Sequence, residues 1–591
     1  MDGRQRKYIG CTGDVTKLSM SAELHSNWRS PAENESMAAK QKSLREKLNS
    51  PRRISLILFM VLAGAAVFYY AALSPQDFGR VHDDSIYVTT AKSLATGQGY
   101  RIISLPYEPA QTKYPPLHPF LLSLIWRAYP QFPQNLVPMM ILTIAATLGF
   151  LAVSYQYMVK FGYASSWQAV VVVILAVVNW RTLVMATSLY SEAVYALVSV
   201  VALYLAEKYE QQDKHHVTGV LTGVAIGLTY LTRSVGVTLL ITLALNFALR
   251  KQWKKALIPV AVASLFVVGW ALWCRANKTT AEGINVAYYT NYFDHINYVI
   301  HSLQDQNNMS KAGVLLYLLS RNAFIFTLVS PMVVILGVDF TLAQYFGFVT
   351  LFILAGFVRQ IRTRLRLLHI YIILYLAMNA FVPFPSYDRY LIPLIPFVLM
   401  FVVAEAGRLV ILIRNELTKN GQLIKQVSAA LIGLALSISA GTVLYNQSSE
   451  IYGRVRTASL QKTAKPAPED VEAIAWINEH TDPSDVLVCY HDPVYFLFTG
   501  RRIARSLPMR EWIDWREDKV PVATIEELFF RVVNEDNGRY LVVTSTDYDI
   551  EDQTGQYRAI RDGIIGRHPE TFIPVFFSGD GLSKIFRVEN R

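Results

Sequence analysis

A succession of apolar runs, each near the length needed to cross a bilayer, constrains this 591-residue chain more than any other feature. The first goes from Ile54 to Leu73, roughly the 20 residues that a helix needs to cross the hydrocarbon. Further candidates begin near Leu136, Trp167, Ser191, Val217, Val235, Ala256, Thr341, Leu367, Leu391 and Ser428. Together they predict a polytopic α-helical membrane protein with about 11 transmembrane helices.

Charge gives a second, independent test. Arg52 and Arg53 precede the first run, which puts the N-terminus on the cytoplasmic side. If crossings alternate, the inside loops carry Lys160; Lys208 and Lys214; Arg250, Lys251, Lys254 and Lys255; Arg359, Arg362, Arg364 and Arg366; and Arg414, Lys419 and Lys425. The net charge of +11 is thereby accounted for as flanking charge in an inner-membrane protein, not as a nucleic-acid surface. Two stretches fit less easily. Thr218–Leu249 must make two short crossings of about 16 residues each. Lys311–Val338 is apolar and reads as helices partly entering the outer surface, or as an additional crossing.

The remainder is polar. Residues 1–53 lack apolar periodicity and read as a disordered cytoplasmic tail, too polar for a signal peptide. Residues 74–134 form a first external loop, in which Pro116–Tyr129 reads as an interfacial helix. Residues 54–446 make up the membrane domain and 447–591 an extracytoplasmic α/β domain, in keeping with a mean hydropathy of only +0.27. Lys465–Pro468 looks like a linker. Helices are expected at Asp470–His480, Ile525–Val533 and Gln556–Gly566, with strands at Val486–Tyr490 and Tyr540–Thr544 and near Phe572 and Ile585. Cys11, Cys274 and Cys489 fit neither a zinc spacing nor a disulfide framework.

The external loop carries the densest chemistry. His82-Asp83-Asp84-Ser85-Ile86-Tyr87 places two adjacent carboxylates after the first crossing, suited to a general base, a metal ligand or a hydroxyl anchor. Either could instead cap a helix running through Lys92. Lys113-Tyr114-Pro115-Pro116-Leu117-His118-Pro119 forms a proline-stiffened corner, which could hold the Lys113 ammonium against a phosphate or simply turn the chain. Glu192, Arg233, Asp388 and Arg389 recur at the same outer level. Glu192 and Arg233 could also be a structural ion pair. An ionisable group in apolar sequence is expensive and should face a cavity or a partner. A transporter would place such charges near the midplane. An enzyme acting on a lipid-linked phosphate would place them at headgroup level beside a groove for the tail, which is the arrangement here. His491-Asp492, in the C-terminal part, reads as structural. No Walker-type loop or nucleotide-binding glycine fingerprint occurs.

The order of these motifs resembles the GT-C glycosyltransferases. It runs from one crossing to an acidic pair, a Lys-Tyr-Pro-Pro-Leu corner, Ser191-Glu192, Leu231-Thr232-Arg233 and Arg389-Tyr390-Leu391-Ile392-Pro393, and ends in a C-terminal domain. The branch it is most similar to contains protein O-mannosyltransferases and the lipid A aminoarabinose transferase (glycosyltransferase family 39-like). The resemblance implies transfer of a sugar from a polyprenyl-phosphate donor to a lipid, glycan or protein acceptor outside the cytoplasm. It implies Asp83 as the base, with Asp84 where the family often has Glu, and Glu192 as the second acidic position. Lys113, Arg233 and Arg389 fall near the carrier phosphate, with Tyr87, Pro115, Pro116 and His118 supporting the loop. Tyr114, between Lys113 and the proline pair, departs from the pattern. No β-trefoil domain is evident, which points to a bacterial or archaeal enzyme. The chemistry agrees: a lipid phosphate leaves as an anion and needs positive charge rather than a general acid, and one displacement inverts the sugar carbon. No cofactor is required. Asp83, Asp84 and Glu192 could hold a divalent ion, which the three cations make dispensable. The competing readings are a transporter or lipid flippase, and a membrane scaffold that uses the α/β domain to bind a partner.

Overall fold

The computed structural model describes residues 50–80, 82–212, 216–278, 289, 291–325, 330–337, 347–382, 387–417, 423–460, 465–506, 522–547 and 555–589. The expected tail, Cys11, Lys214, Lys419, the run start at Thr341 and the side chain of Asp388 lie outside the described residues.

Every apolar run that the sequence nominates contains a helix. In order, these helices are α1 (Pro51–Ala71), α2 (His82–Ala95), α3 (Leu117–Ala128), α4 (Leu136–Lys160), α5 (Ser166–Val177), α6 (Trp180–Thr187), α7 (Glu192–Glu210), α8 (His216–Thr232), α9 (Val237–Leu249), α10 (Trp253–Ala276), α11 (Tyr292–Asn307), α12 (Lys311–Phe324), α13 (Ser330–Leu336), α14 (Gly347–Thr363), α15 (Leu367–Ala380), α16 (Tyr387–Leu391), α17 (Ile395–Leu417) and α18 (Leu423–Leu460). Among the described residues, four helical segments are long and apolar enough to cross a bilayer: α1, α4, α10 and Arg389–Asn415. The pair α5 and α6 passes the same test together, bent by 65°. The described residues of this polytopic helical membrane protein thus contain four or five such spans; the expected number of about 11 is not reached among them, because several of the remaining apolar helices are short.

Surface chemistry agrees with a bilayer environment. Phe59, Met60 and Val67 of α1 and Leu257, Leu265 and Leu272 of α10 are more than half exposed, an apolar area that water would not tolerate but lipid tails would. Without a hydrophobic drive in lipid, helices associate through close packing. A Cβ added at Gly227 of α8 would lie 2.3 Å from the Phe266 ring of α10, so the approach of these two helices requires glycine there.

The bend between α5 and α6 has a local cause. The Asn179 side chain accepts from the backbone N–H of Arg181 and Thr182 at 3.1 and 3.2 Å, starting a new helix, and donates to Val334 O at 2.7 Å. Past residue 446, where the sequence ends the membrane domain, α18 continues unbroken to Leu460, over 38 residues in all. At about 1.5 Å per residue this is roughly 57 Å, well beyond a hydrocarbon core of about 30 Å. Arg454, far along it, donates to Thr187 Oγ1 at 3.0 Å and lies 3.5 Å from Asp77.

The C-terminal α/β part contains α19 (Val471–His480), β1 (Val486–Cys489), α20 (Asp492–Thr499), β2 (Ile503–Arg505), α21 (Val522–Glu535), β3 (Gly538–Thr544), α22 (Gln556–Arg567), β4 (Phe572–Phe577) and β5 (Ser583–Val588). Its five-stranded sheet has the order β2-β1-β3-β5-β4. β1 pairs in parallel with β2 and β3, and β5 is antiparallel to both β3 and β4. α20 and β2 were not anticipated, being short and poorly periodic. They dock on residues 74–134. Ile503 N donates to Ser104 O at 2.8 Å, Phe498 packs edge-on to Phe132 with ring centroids 4.8 Å apart, and Arg502 pairs with Glu108.

Candidate active site

The acidic pair opens α2, and its two carboxylates face different ways. Asp84 is buried and turned toward backbone: Oδ2 accepts from Gly79 N at 3.1 Å and Oδ1 from Ser85 N at 2.6 Å. Asp84 lies inside the first turn of α2 rather than at its N-cap, so these bonds tie it to its own backbone neighbour and to Gly79 instead of capping the helix. Burial, opposed by those bonds and aided by the neighbouring Asp83 charge, pushes its carboxyl up to about 8. Asp83 faces the cluster. Burial alone would raise its carboxyl, but the Arg389 guanidinium, the Tyr114 hydroxyl and the Lys113 ammonium together hold it at about 2. One carboxyl is therefore kept ionised and its neighbour protonated near neutrality, the divergence that environment imposes on adjacent acids.

Asp83 begins a chain of alternating charge. Its Oδ2 lies 2.8 Å from Arg389 Nη1. The same guanidinium bonds Glu192 through Nε and, at 3.3 Å, through Nη2, and its plane sits 4.5 Å over the Tyr190 ring. Glu192 Oε1 in turn lies 2.7 Å from Arg233 Nη1. That nitrogen also donates to Ser191 Oγ at 3.1 Å, and Ser191 Oγ is 3.1 Å from the Tyr87 hydroxyl. Glu192 is 1% exposed, so its two cations carry the cost of burying it. Residues separated by up to 306 positions, Asp83 and Arg389, thus meet in one network together with Glu192 and Arg233; the Glu192–Arg233 ion pair exists, but as part of this larger array.

Tyr114, which looked like a departure from the family pattern, donates its hydroxyl to Asp83 Oδ1 at 2.5 Å. The corner that presents it is tied to α10: Trp273 Nε1 donates to Gln111 O at 3.0 Å, and Gln111 Oε1 accepts from Lys113 N at 3.0 Å. Pro116 precedes α3 with a helical backbone. His118 Nε2 lies 3.1 Å from Leu189 O, and its ring is edge-on to Tyr87 at 4.9 Å. Burial lowers its imidazole to about 4, so it is neutral and not a fourth cation.

Lys113 is buried in the wall of a cavity of about 540 Å³ that also takes in Tyr230, Trp270, Arg275, Lys278 and Tyr292. Arg275 and Lys278 were not singled out from sequence; their place after an apolar run reads equally well as a flank. An apolar groove of about 560 Å³, lined by Leu94, Pro116, Phe120, Leu265 and Phe266, adjoins this cavity and shares Trp270 with it. Asp294 also lines the cavity and lies 3.2 Å from Lys278, so Lys113 and Arg275 give it its net positive charge, which beside an apolar groove suits an amphiphile with an anionic head.

Among the described residues no three His, Cys, Asp or Glu side chains converge as a metal-holding group. The three carboxylates considered as ligands do not gather: Asp84 serves backbone N–H groups, while Asp83 and Glu192 are bridged by Arg389.

No protein-family model matches the sequence, and no curated protein matches it. Solved structures do. The Archaeoglobus fulgidus oligosaccharyltransferase AglB, in complex with an inhibitory peptide and a dolichol-phosphate, superposes with a TM-score of 0.51 at 14% identity, over 90% of this chain and 74% of that one. The same enzyme tethered to an acceptor peptide containing the NVT sequon gives 0.53 at 13% identity, with the same coverage. ArnT from Cupriavidus metallidurans, bound to undecaprenyl phosphate, gives 0.50 at 14% identity, over 89% of this chain and 97% of that one. AglB and ArnT are both GT-C superfamily members. The chain therefore has the fold of the GT-C membrane glycosyltransferases.

Proposed function

We propose that this protein is an integral-membrane glycosyltransferase that moves a sugar from a polyprenyl-phosphate donor to a lipid, glycan or protein acceptor on the extracytoplasmic side of the membrane. In this reading the N-terminus is cytoplasmic, the shorter apolar helices complete about 11 crossings, and the α/β domain lies outside. The observation that carries it is the Asp83–Arg389–Glu192–Arg233 network beside the Lys113 cavity and its apolar groove. The kinship in fold to enzymes solved with dolichol-phosphate and undecaprenyl phosphate supports the same donor chemistry.

The prenyl tail occupies the apolar groove and the phosphate enters the cationic cavity. The acceptor heteroatom attacks the anomeric carbon, the carbon–oxygen bond to phosphate breaks with inversion, and the acceptor proton passes to Asp83. The phosphate leaves as an anion met by Lys113, Arg389 and Arg233, so no general acid is needed. A carboxylate held at about 2 is a weak base while Arg389 is bound to it. Donor phosphate competes for that guanidinium, which frees Asp83 and strengthens it as a base once donor is present.

The test is sugar transfer by purified full-length protein in detergent with a panel of polyprenyl-phosphate sugars, following release of polyprenyl phosphate. Wild type turns over and Asp83→Asn loses at least about 100-fold, the scale of one general base, with unfolding temperature retained. Vesicle flux of lipid without any transfer product, or full turnover by Asp83→Asn, would overturn the reading.

A further inference from the structure

Asp492, the first residue of α20, is fully buried, and its carboxylate reaches out of the C-terminal domain to the helix that bears Asp83. Oδ1 lies 2.7 Å from His82 Nε2, and Oδ2 accepts from the Tyr289 hydroxyl at 2.6 Å. The Tyr289 hydroxyl is itself 3.3 Å from His82 Nε2. Arg505 Nη1, at 3.6 Å from Oδ1, is the cation on the domain's own side. Three segments separated by about 200 residues each are thus joined through one carboxylate.

Both segments outside the domain lead directly to Asp83. His82 is the residue before it, and His82 O accepts from Ser85 Oγ at 2.8 Å within the first turn of α2. Tyr289 lies three residues before Tyr292, whose ring packs edge-on to Tyr114, centroids 6.0 Å apart; Tyr114 is the hydroxyl donor to Asp83. The contact continues at Gly79, which has φ +87° and so takes a conformation that favours glycine. A Cβ there would lie 2.3 Å from Val494 Cγ2 of α20. Gly79 N is also the donor to Asp84. The domain therefore abuts the start of α2 at the backbone as well as through its carboxylate.

We infer that Asp492 is a positioning residue: through His82 and Tyr289 it holds the start of α2, and Tyr289 near Tyr292, so that Asp83 meets Arg389 and Tyr114, making the docked C-terminal domain a condition for turnover. The inference rests on the transferase reading above. A carboxylate buried without its partners is costly, so the three segments hold their places together. Misplacing a reacting group by about 1 Å can cost about 100-fold in rate.

The experiment uses full-length protein in detergent. Asp492→Ala lowers kcat by about 100-fold while the affinity for polyprenyl phosphate alone stays within about threefold, and His82→Ala does the same. The double variant is no worse than Asp492→Ala alone, because the contact that His82→Ala removes is one of those already lost with Asp492. Tyr289→Phe, which deletes one hydroxyl and leaves packing intact, lowers kcat about tenfold, the worth of one hydrogen bond to a charged group. A second measurement needs no turnover: amide hydrogen exchange of residues 82–95 rises in Asp492→Ala. Independent, multiplying losses in the double variant, unchanged exchange, or wild-type kcat in both Asp492→Ala and Tyr289→Phe would overturn the inference. Raised exchange in a protein whose wild type transfers no sugar would instead overturn the transferase reading and, with it, the catalytic purpose of the contact.

Discussion

The Tyr114 hydroxyl donates to Oδ1 of Asp83 at 2.5 Å, joining the proline-stiffened corner to the acidic pair across 31 positions of sequence. With Arg389 on the other oxygen, both lone-pair faces of the carboxylate are engaged, and its pKa is drawn down to about 2.

Removing that bond has a predictable sign. Asp83 is depressed in the folded state, so the stability that its charge contributes is present above the ordinary carboxylate range and is lost as pH falls toward about 2. Tyr114→Phe raises the Asp83 carboxyl by about one unit, the scale of one hydrogen bond to a charged group. The acid limb of kcat/KM against pH moves up by about that amount, and, because the carboxylate loses the bond that orients it, kcat at neutral pH falls about tenfold or less despite the gain in basicity. A pH–rate profile of the variant checks both.

Asp84 behaves in the opposite way. Its folded carboxyl is raised to about 8, so between the ordinary value and about 8 the folded protein holds a proton that the unfolded chain has released. Stability from this group therefore declines as pH rises through that window. Asp84→Asn, which cannot ionise, gains in unfolding temperature relative to wild type on going from about pH 5 to about pH 8. Thermal melts at the two pH values test this, and a constant difference between the proteins would refute the assignment.

Glu192 separates two guanidinium groups, Arg233 and Arg389. Glu192→Ala leaves Arg233 facing Arg389 without the carboxylate between them, Arg389 keeping only Asp83, at a cost of about 3–5 kcal/mol. The double variant Glu192→Met/Arg233→Met removes a pair together and loses less than the single change. Denaturation of the three proteins in one detergent decides it.

The apolar groove offers a test that avoids the charges. Gly269 lines it, and a Cβ there meets nothing within 4 Å, so Gly269→Leu intrudes on the groove without straining its own surroundings. Each prenyl methylene that loses its burial costs about 0.8 kcal/mol. The variant therefore loses affinity for long-chain donors about tenfold or more, and for short-chain water-soluble donors much less. Equal effects on both would place the tail elsewhere.

Helix positions along the chain were readable because they depend on local quantities. A run of about 20 apolar residues is helical wherever it sits, and basic flanks mark its ends. Hence helices occur at Leu136–Lys160, Trp253–Ala276 and the other nominated runs. The acidic pair, Lys113, Glu192, Arg233 and Arg389 also stood out, because a charge beside apolar sequence is expensive and so conspicuous. The bend at Asn179, the continuation of α18 to Leu460 and the short α20 and β2 did not, since a capping side chain and polar helix surface leave no periodic trace.

Sequence alone sufficed for the helical membrane architecture and for the residue types that the buried ionic network brings into play, because chain length, hydropathy and charge are properties of each segment in isolation. Which oxygen of Asp83 meets which donor, that Asp84 turns to backbone instead, and that Asp492 reaches His82 across 410 positions were settled only by packing. Such contacts are set by how helices and domain pack in three dimensions, and nothing in the composition of either strand of sequence records its partner.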